Sequence, residues 1–271
     1  WSSDVCSSDL KLFYICKIIF ICSPNNTHFQ YVKQFYKKRY IFCEKPPVDK
    51  ISDLKLLNKF DQSKIFYNFN YRFSKINEAI IKTRELKFGK LLYGNIIFGH
   101  GLATKKNYNN SWRAKNNKQG VYDIVGVHLI DLINNNFKIS NISKKLSYLY
   151  KGFSADNSFF SIKLDYFAQI DCFTSYTSPY EQKFNFIFEN GLLEIANNSI
   201  VYKGPRDTFD KKGFFISPKI LAKKKLNNNE DFELSLKKSV NYFMKISGNN
   251  RIFNLKKNKI SLKSNMLLLK K

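Results

Sequence analysis

Between residues 18 and 70 the chain alternates short apolar runs with polar breaks. Residues 18–22 (IIFIC) are continuous and apolar, as a strand buried on both faces requires. Ser23-Pro24-Asn25-Asn26-Thr27 breaks that run and supplies residues that cap helices. Residues 28–36 predict a helix, with Phe29, Val32 and Phe35 spaced by three. Residues 40–43 predict a second strand, stopped by Glu44-Lys45-Pro46-Pro47 because proline cannot continue a central ladder. Asp49 or Ser52 can cap the next helix, whose Leu54, Leu56 and Leu57 are expected to face inward. Residues 65–70 predict a third strand. The alternation implies parallel pairing with right-handed crossovers. Ligands of such sheets bind outside the carboxyl ends of the strands. Segments 23–28, 44–47 and 70–72 each follow a strand, so they are expected on one rim.

After a helix at 76–86 the pattern changes to a series of strands. They are expected at 91–99, 144–150, 159–166, 169–176, 183–189, 192–196 and 200–203, with Asn190-Gly191 as a hairpin turn. Residues 127–134 and 231–246 read as helices. In the second, Phe232, Leu236, Val240 and Phe243 recur at helical spacing and are expected in the core. The Asn-rich pieces at 107–110, 134–136 and 227–229 read as loops.

Charge changes the picture less than its size suggests. Lys and Arg number 46 against 21 Asp and Glu, a net +25, which points to nucleic acid or an acidic membrane. Only six of the 46 are Arg, the residue that reads phosphates and bases with a planar fork. Lys, Asn, Ile and Phe share A/T-rich codons, so the charge reads as drift over solvated faces, and no nucleic-acid partner is expected. Five Cys without metal-ligand spacing suit a reducing compartment, here taken as cytoplasmic, with no metal site. The apolar stretch 10–22 is interrupted by Lys11 and Lys17 and falls short of the roughly 18 residues of a spanning helix. Its end does not look like a signal cleavage site, and no membrane partner is expected. Residues 1–10 (WSSDVCSSDL) have no amphipathic period and look like one reading frame of a sequencing adapter, an artefact to set aside.

The run IIFICSPNNTHFQYV…YIFCEKPPV, then NFNYRF, then SWRAKNNKQGVYDIVGVHLIDLI resembles the Gfo/Idh/MocA oxidoreductases, the glucose–fructose oxidoreductase and inositol dehydrogenase family. Its most specific mark is Glu44-Lys45-Pro46 at a strand end. Ser-Pro-x-x-x-His lies one strand earlier, and Gly-x-His-x-x-Asp about eighty residues later. The resemblance runs from residue 17 to about 248. It implies an α/β plus α+β fold: a partial Rossmann-type parallel sheet over 11–74, then a large, mostly antiparallel open-sheet domain over 75–271. It also implies an NAD(P)-dependent dehydrogenase that moves hydride between a nicotinamide and a sugar, cyclitol or nucleotide-linked sugar. Such a protein is expected to be a homo-oligomer through its open sheet. The family's Gly-rich first βα turn, and the residue that chooses NAD or NADP, would lie upstream of residue 11. Residues 11–271 alone are therefore expected to bind cofactor poorly and to be inactive.

Oxidising a carbinol sends hydride to the cofactor and a proton to a protein base. A Lys desolvated beside a cationic ring has its pKa pushed toward working pH. The resemblance assigns that role to Lys45, with Glu44 orienting it and Pro46 fixing the turn, although a lone Lys among forty is ordinarily a solvated loop residue. His128 is the second catalytic candidate. Residues 129, 130, 132 and 133 are apolar and should pack inward, leaving His128 and Asp131 on the polar side, with His128 within about 8 Å of Lys45. The family's usual Asp lies four residues before this His. Here that position is Ile124 and Asp123 lies five before, so either a one-residue bulge restores Asp123 or its role is lost. Ser23, Pro24, Asn25 and His28 would border the nicotinamide ribose, although Asn25 serves equally as a helix cap. Tyr71, Arg72 and Asp131 would meet substrate, Arg72 as a clamp on a hydroxyl or carboxylate. Trp112-Arg113 resembles a segment that reaches back to the cofactor, and Trp112 equally suits a buried anchor. A non-catalytic sugar- or nucleotide-sensing role is the alternative. Lys45 and His128 favour the enzyme, and the displaced Asp123 favours the sensor.

Overall fold

A computed structural model describes residues 16–115, 120–150 and 154–270. The chain divides into two compact units. One comprises the described part of Trp1–Phe69 together with Ser239–Lys271, and the other Asn70–Lys238. The division differs from the one at 74/75 drawn from sequence order, because the C-terminal residues pack on the first unit.

In that unit β1 (Ile18–Ile21), β2 (Tyr40–Glu44) and β3 (Ile65–Asn68) form a parallel sheet in the order β1-β2-β3. The strands alternate with α1 (His28–Phe35) and α2 (Ile51–Leu57), as expected. In-register pairing sets Phe20, Phe42 and Phe66 side by side on one face. Phe243 covers that row at ring distances of 5.3, 5.4 and 6.1 Å, and Phe253 stacks on Phe243. Val32 and Phe35 of α1 and Leu54 and Leu57 of α2 are buried, whereas Leu56 is 44% exposed, contrary to expectation. Seven residues give α2 less than two turns of buried stripe, which Leu54 and Leu57 fill. Neither Asp49 nor Ser52 caps α2: Lys50 holds that position without a side-chain bond.

The second unit opens with a 3-10 turn at Asn70–Phe73 and α3 (Lys75–Glu85), which Ser74 caps by accepting from Asn77 N. Its eight strands are β4 (Leu91–Gly99), β5 (Ile139–Ser147), β6 (Asn157–Leu164), β7 (Gln169–Ser175), β8 (Glu181–Phe188), β9 (Gly191–Ala196), β10 (Ser199–Lys203) and β11 (Ile220–Lys225). They lie in the order β11-β10-β9-β8-β4-β7-β6-β5, antiparallel except for β4 with β7. This is the large open sheet expected. The β8–β9 turn is Glu189-Asn190 rather than Asn190-Gly191: Gly191 already pairs with Phe188, and a Cβ there would meet the Phe88 ring at 2.6 Å. β5 ends three residues early because the Asp156 carboxylate takes the N–H groups of Leu149 and Tyr150 into a turn. A short helix, α4 (Trp112–Lys115), and a π-helical turn (Tyr122–Gly126) precede α5 (Val127–Asn136). α5 absorbs the Asn-rich piece at 134–136 that read as a loop.

The long helix α6 (Asn228–Gly248) contradicts the aromatic stripe predicted for it. Phe232 is 51% and Leu236 36% exposed, while Asp231, Ser235, Ser239, Phe243 and Ser247 are buried at spacings of four. Hydrogen bonds select this side. Asp231 accepts from Lys75 N, Ser235 accepts from Asn70, and Ser239 donates to Asn68. α7 (Leu255–Leu269) has no counterpart in the sequence reading. Asn258 donates to the carbonyls of Gln62 and Ile65, and Asn265 bonds both N–H and C=O of Val48. No described helix is long and apolar enough to cross a membrane.

Asn265 is fully buried, so Asn265→Leu leaves two backbone groups of Val48 without partners. It should cost at least about 2 kcal/mol of unfolding free energy, measured by denaturant titration.

Candidate active site

The carboxyl ends of β1, β2 and β3 form one rim because parallel strands share direction. Ser23 and Asn25 are half-buried there, Pro24 is exposed, and Glu44 and Lys45 are half-buried at the end of β2. The Lys45–Pro46 peptide bond is cis.

His28 does not border an open ribose site. It is fully buried, with Nδ1 2.8 Å from the Pro46 carbonyl oxygen and Nε2 2.9 Å from that of Ser23. Both neighbours accept only, so a neutral ring donates to one and a charged ring to both. Burial pushes the ring below its ordinary range, opposed by the two carbonyls and Glu44. The ring clamps the first rim loop to the second.

Asn68 takes the place expected of Asn70 at the third strand end. It is 2% exposed and donates to Glu44 Oε1 at 2.7 Å, while Glu44 Oε2 accepts from Lys45 N at 3.4 Å. In the sequence Asn68 was hidden as a strand residue. Asn70 belongs to the second unit, where it donates to Ser235.

In the second unit Arg72 and Asp131 engage each other. Arg72 Nε donates to Asp131 Oδ2 at 2.7 Å and Nη2 to Oδ1 at 2.5 Å, a two-pronged pair with 9% and 1% side-chain exposure. Asp131 is thus buried and not on a polar face, contrary to expectation: the Arg72 fork supplies the polar surroundings. Leu129, Ile130, Leu132 and Ile133 are fully buried as expected, and His128 is half-exposed.

A π turn before α5 bears on the spacing of Asp123. Five residues along an α-helix is about 140° past a full turn, which would put Asp123 and His128 on different faces. A turn closed by i→i+5 bonding, here Val127 N to Tyr122 O, accommodates the extra residue. Asp123, Ile124 and His128 are the half-buried positions in an otherwise buried stretch from 121 to 133, as one exposed edge requires. Lys144 also stands near Asp123, with Nζ 4.6 Å from the Tyr122 ring centre. Burial pushes its ammonium down and Asp123 opposes this.

Tyr71 packs 5.3 Å from the His128 ring, and its hydroxyl engages Gln182, which accepts from Tyr180. Burial pushes that hydroxyl far above its usual range. Gln182, 7% exposed at the start of β8, carried no sequence signal. Arg113 depresses His100 further after burial has done so. The Trp112 side chain and residues 1–10 lie outside the described residues. Among the described residues no group of His, Cys, Asp or Glu is arranged to hold a metal.

Residues 3–64 match the model of the Gfo/Idh/MocA oxidoreductase family, NAD-binding Rossmann fold. An oxidoreductase from Agrobacterium radiobacter, solved with NAD+, L-tartaric acid and magnesium, has 15% identity and a TM-score of 0.75, covering 96% of this chain and 78% of that one. The chain has the Gfo/Idh/MocA fold. A myo-inositol dehydrogenase from Corynebacterium glutamicum shares it at 18% identity and TM-score 0.70, over 98% of this chain and 80% of that one. So does an inositol dehydrogenase homologue from Azotobacter vinelandii, solved with NADH and myo-inositol, at 14% identity and TM-score 0.72, over 93% of this chain and 74% of that one. No curated protein sequence matches the chain.

Two outcomes separate the scaffold from the ligand surface in this Gfo/Idh/MocA frame. Arg72→Gln should strip Asp131 of its partner and destabilise the protein by about 3–5 kcal/mol, because a buried carboxylate is left uncompensated. A double-mutant cycle with Asp131→Asn should recover much of this loss. For His28, the native ring takes its proton only below the ordinary 6.5, so the unfolded chain binds that proton first as pH falls. Its contribution to stability is present above that value and lost below it. The dependence of the urea midpoint on pH below 6.5 should therefore be shallower in His28→Gln than in the parent protein.

Proposed function

We propose that the protein is an NAD(P)-dependent dehydrogenase of a sugar, cyclitol or nucleotide-linked sugar, with Lys45 as its acid–base group. The observation that carries this reading is the Glu44-Lys45-Pro46 turn. It leaves the end of a parallel strand with Lys45 half-exposed, its two flanking residues tied to Asn68 and His28. The rim residues suit the nicotinamide-ribose side of a dinucleotide. Pro24 is exposed and Asn25 half-exposed on a loop at a strand's carboxyl end, where such ligands lie. The first glycine of the chain is Gly89, so no Gly-rich pyrophosphate turn falls among the described residues of the first unit. These residues therefore present the nicotinamide side alone.

When bound, a nicotinamide accepts or returns hydride at the substrate carbon. Lys45 Nζ takes the proton from the substrate hydroxyl on oxidation and gives it back on reduction. His128, at the start of α5, is the proposed partner of a substrate hydroxyl, with Asp123 setting its tautomer. Tyr71 and Gln182 extend a polar wall beside His128 for further hydroxyls, and Arg113 is proposed as a cofactor contact. Polyol ligands in structures of this fold, such as myo-inositol, support the substrate class. The π turn supports the enzyme reading over a sensing role, because it accommodates the fifth residue between Asp123 and His128, both half-buried.

Lys45→Met should lower turnover by about 10²–10⁴-fold, the range for losing a general acid–base group. Cofactor affinity, followed by NADH fluorescence, should change far less. Turnover equal to that of the parent would remove Lys45 from the mechanism.

A further inference from the structure

The Glu44 carboxylate is held from a distant part of the chain. Ser239, on α6, is fully buried and donates its hydroxyl to Asn68 Oδ1 at 2.5 Å. Because the Glu44 carboxylate only accepts, whereas a serine hydroxyl donates or accepts, the carboxylate sets the direction of the amide and Ser239 pins the oxygen end of Asn68. Its Nδ2 is then turned toward Glu44 Oε1, 2.7 Å away. The other carboxylate oxygen faces the backbone N–H of Lys45. Pairing of Glu44 with Asn68 in the β2–β3 register sets the two side chains opposite each other, and Ser239 holds the Asn68 amide from its other end. Reversed, the amide would set its oxygen against a carboxylate oxygen, and the contact would repel.

We propose that Ser239 and Asn68 are positioning residues. Their relay Ser239–Asn68–Glu44 fixes the backbone from which Lys45 leaves the rim and holds the Glu44 charge beside it. The proposal rests on Lys45 being the proton carrier. Neither residue touches substrate, because both are buried beneath the rim. Each bond in the relay runs from a donor to an acceptor and ends on an anion, the arrangement in which hydrogen bonds strengthen one another. Other titratable groups near Glu44 are Cys22, His28 and Cys43, each of whose pKa values it raises.

The test reads Lys45 directly, without turnover. The full chain is labelled with 13Cε-lysine, and the Lys45 resonance is identified by its loss in Lys45→Arg. An anion held beside an ammonium raises its titration midpoint. Ser239→Ala should therefore lower the Lys45 midpoint by about half a pH unit or more, and Ser239→Thr, which keeps the hydroxyl, should restore it. A midpoint in folded Ser239→Ala equal to that of the parent overturns the relay. If Ser239→Ala loses its fold, Asn68→Leu keeps the volume and removes the donor, and the same fall is required of it. An unchanged midpoint there overturns the proposal as well. Failure of the Lys45 assignment would instead show as full turnover in Lys45→Met, whatever the titrations give, so the two failures are distinct.

Discussion

Parallel strands all leave a sheet at the same edge, and the rim follows from that constraint together with the register. Ile21 pairs with Cys43 and Glu44 with Asn68, so the last residues of three strands stand level. The register itself is held by the aromatic row Phe20–Phe42–Phe66, closed from one side by Phe243 and Phe253. A slip of one residue along β2 would turn Phe42 to the other face and carry Glu44 away from Asn68. Core packing and rim geometry are therefore one specification, and the residues that close the core come from the far end of the chain.

The parts of the fold legible in the sequence are those where one physical demand acts alone. A strand buried on both faces must be apolar, and proline must end it, so residues 18–22 and the Glu44-Lys45-Pro46 turn could be located. Segments built by two competing demands were not legible. The buried stripe of α6 is Asp231, Ser235, Ser239, Phe243 and Ser247, because backbone and side-chain polar groups beneath it need partners more than they need apolar cover. Phe232 and Leu236 are left outside. α7 escaped for the same reason, since Asn258 and Asn265 are among its most buried residues and complete the hydrogen bonding of Gln62, Ile65 and Val48. β11 has no alternation of its own and is a strand only through its pairing with β10.

The candidate site shows the same division from the other side. His28, Arg72 and Asp131 have the residue types of ligand-binding groups, and each is bonded to the chain itself. Burial explains this. A charged or polar group that leaves water needs a partner nearby, and the nearest partners are other parts of the scaffold. A rim rich in polar residues is thus first a set of joints. His28 joins two loops through carbonyls, Asn68 joins two strands, and Arg72 with Asp131 joins the turn at Asn70–Phe73 to α5. After these joints are made, Ser23, Asn25, Glu44 and Lys45 stay half-exposed in the first unit, and Arg113, Asp123 and His128 in the second.

The π turn before α5 belongs to this economy. An extra residue in a helix has to be absorbed somewhere, and an α-helix that absorbed it by rotation would carry the apolar face of residues 129–133 out of the core. Opening one turn to i→i+5 bonding confines the change to Tyr122–Gly126, and the four residues Leu129, Ile130, Leu132 and Ile133 stay fully buried. Gly126 sits at the end of that turn, where an added Cβ would meet the Tyr122 ring at 3.1 Å. Gly120, with φ of +52° and the Ala155 carbonyl oxygen standing where a Cβ would go, fixes where the turn begins. The insertion is thus bracketed by two glycines, Gly120 with no room for a side chain and Gly126 with little. Moving the extra residue elsewhere in the helix would cost core packing, while leaving it here costs one irregular turn and leaves both Asp123 and His128 half-buried.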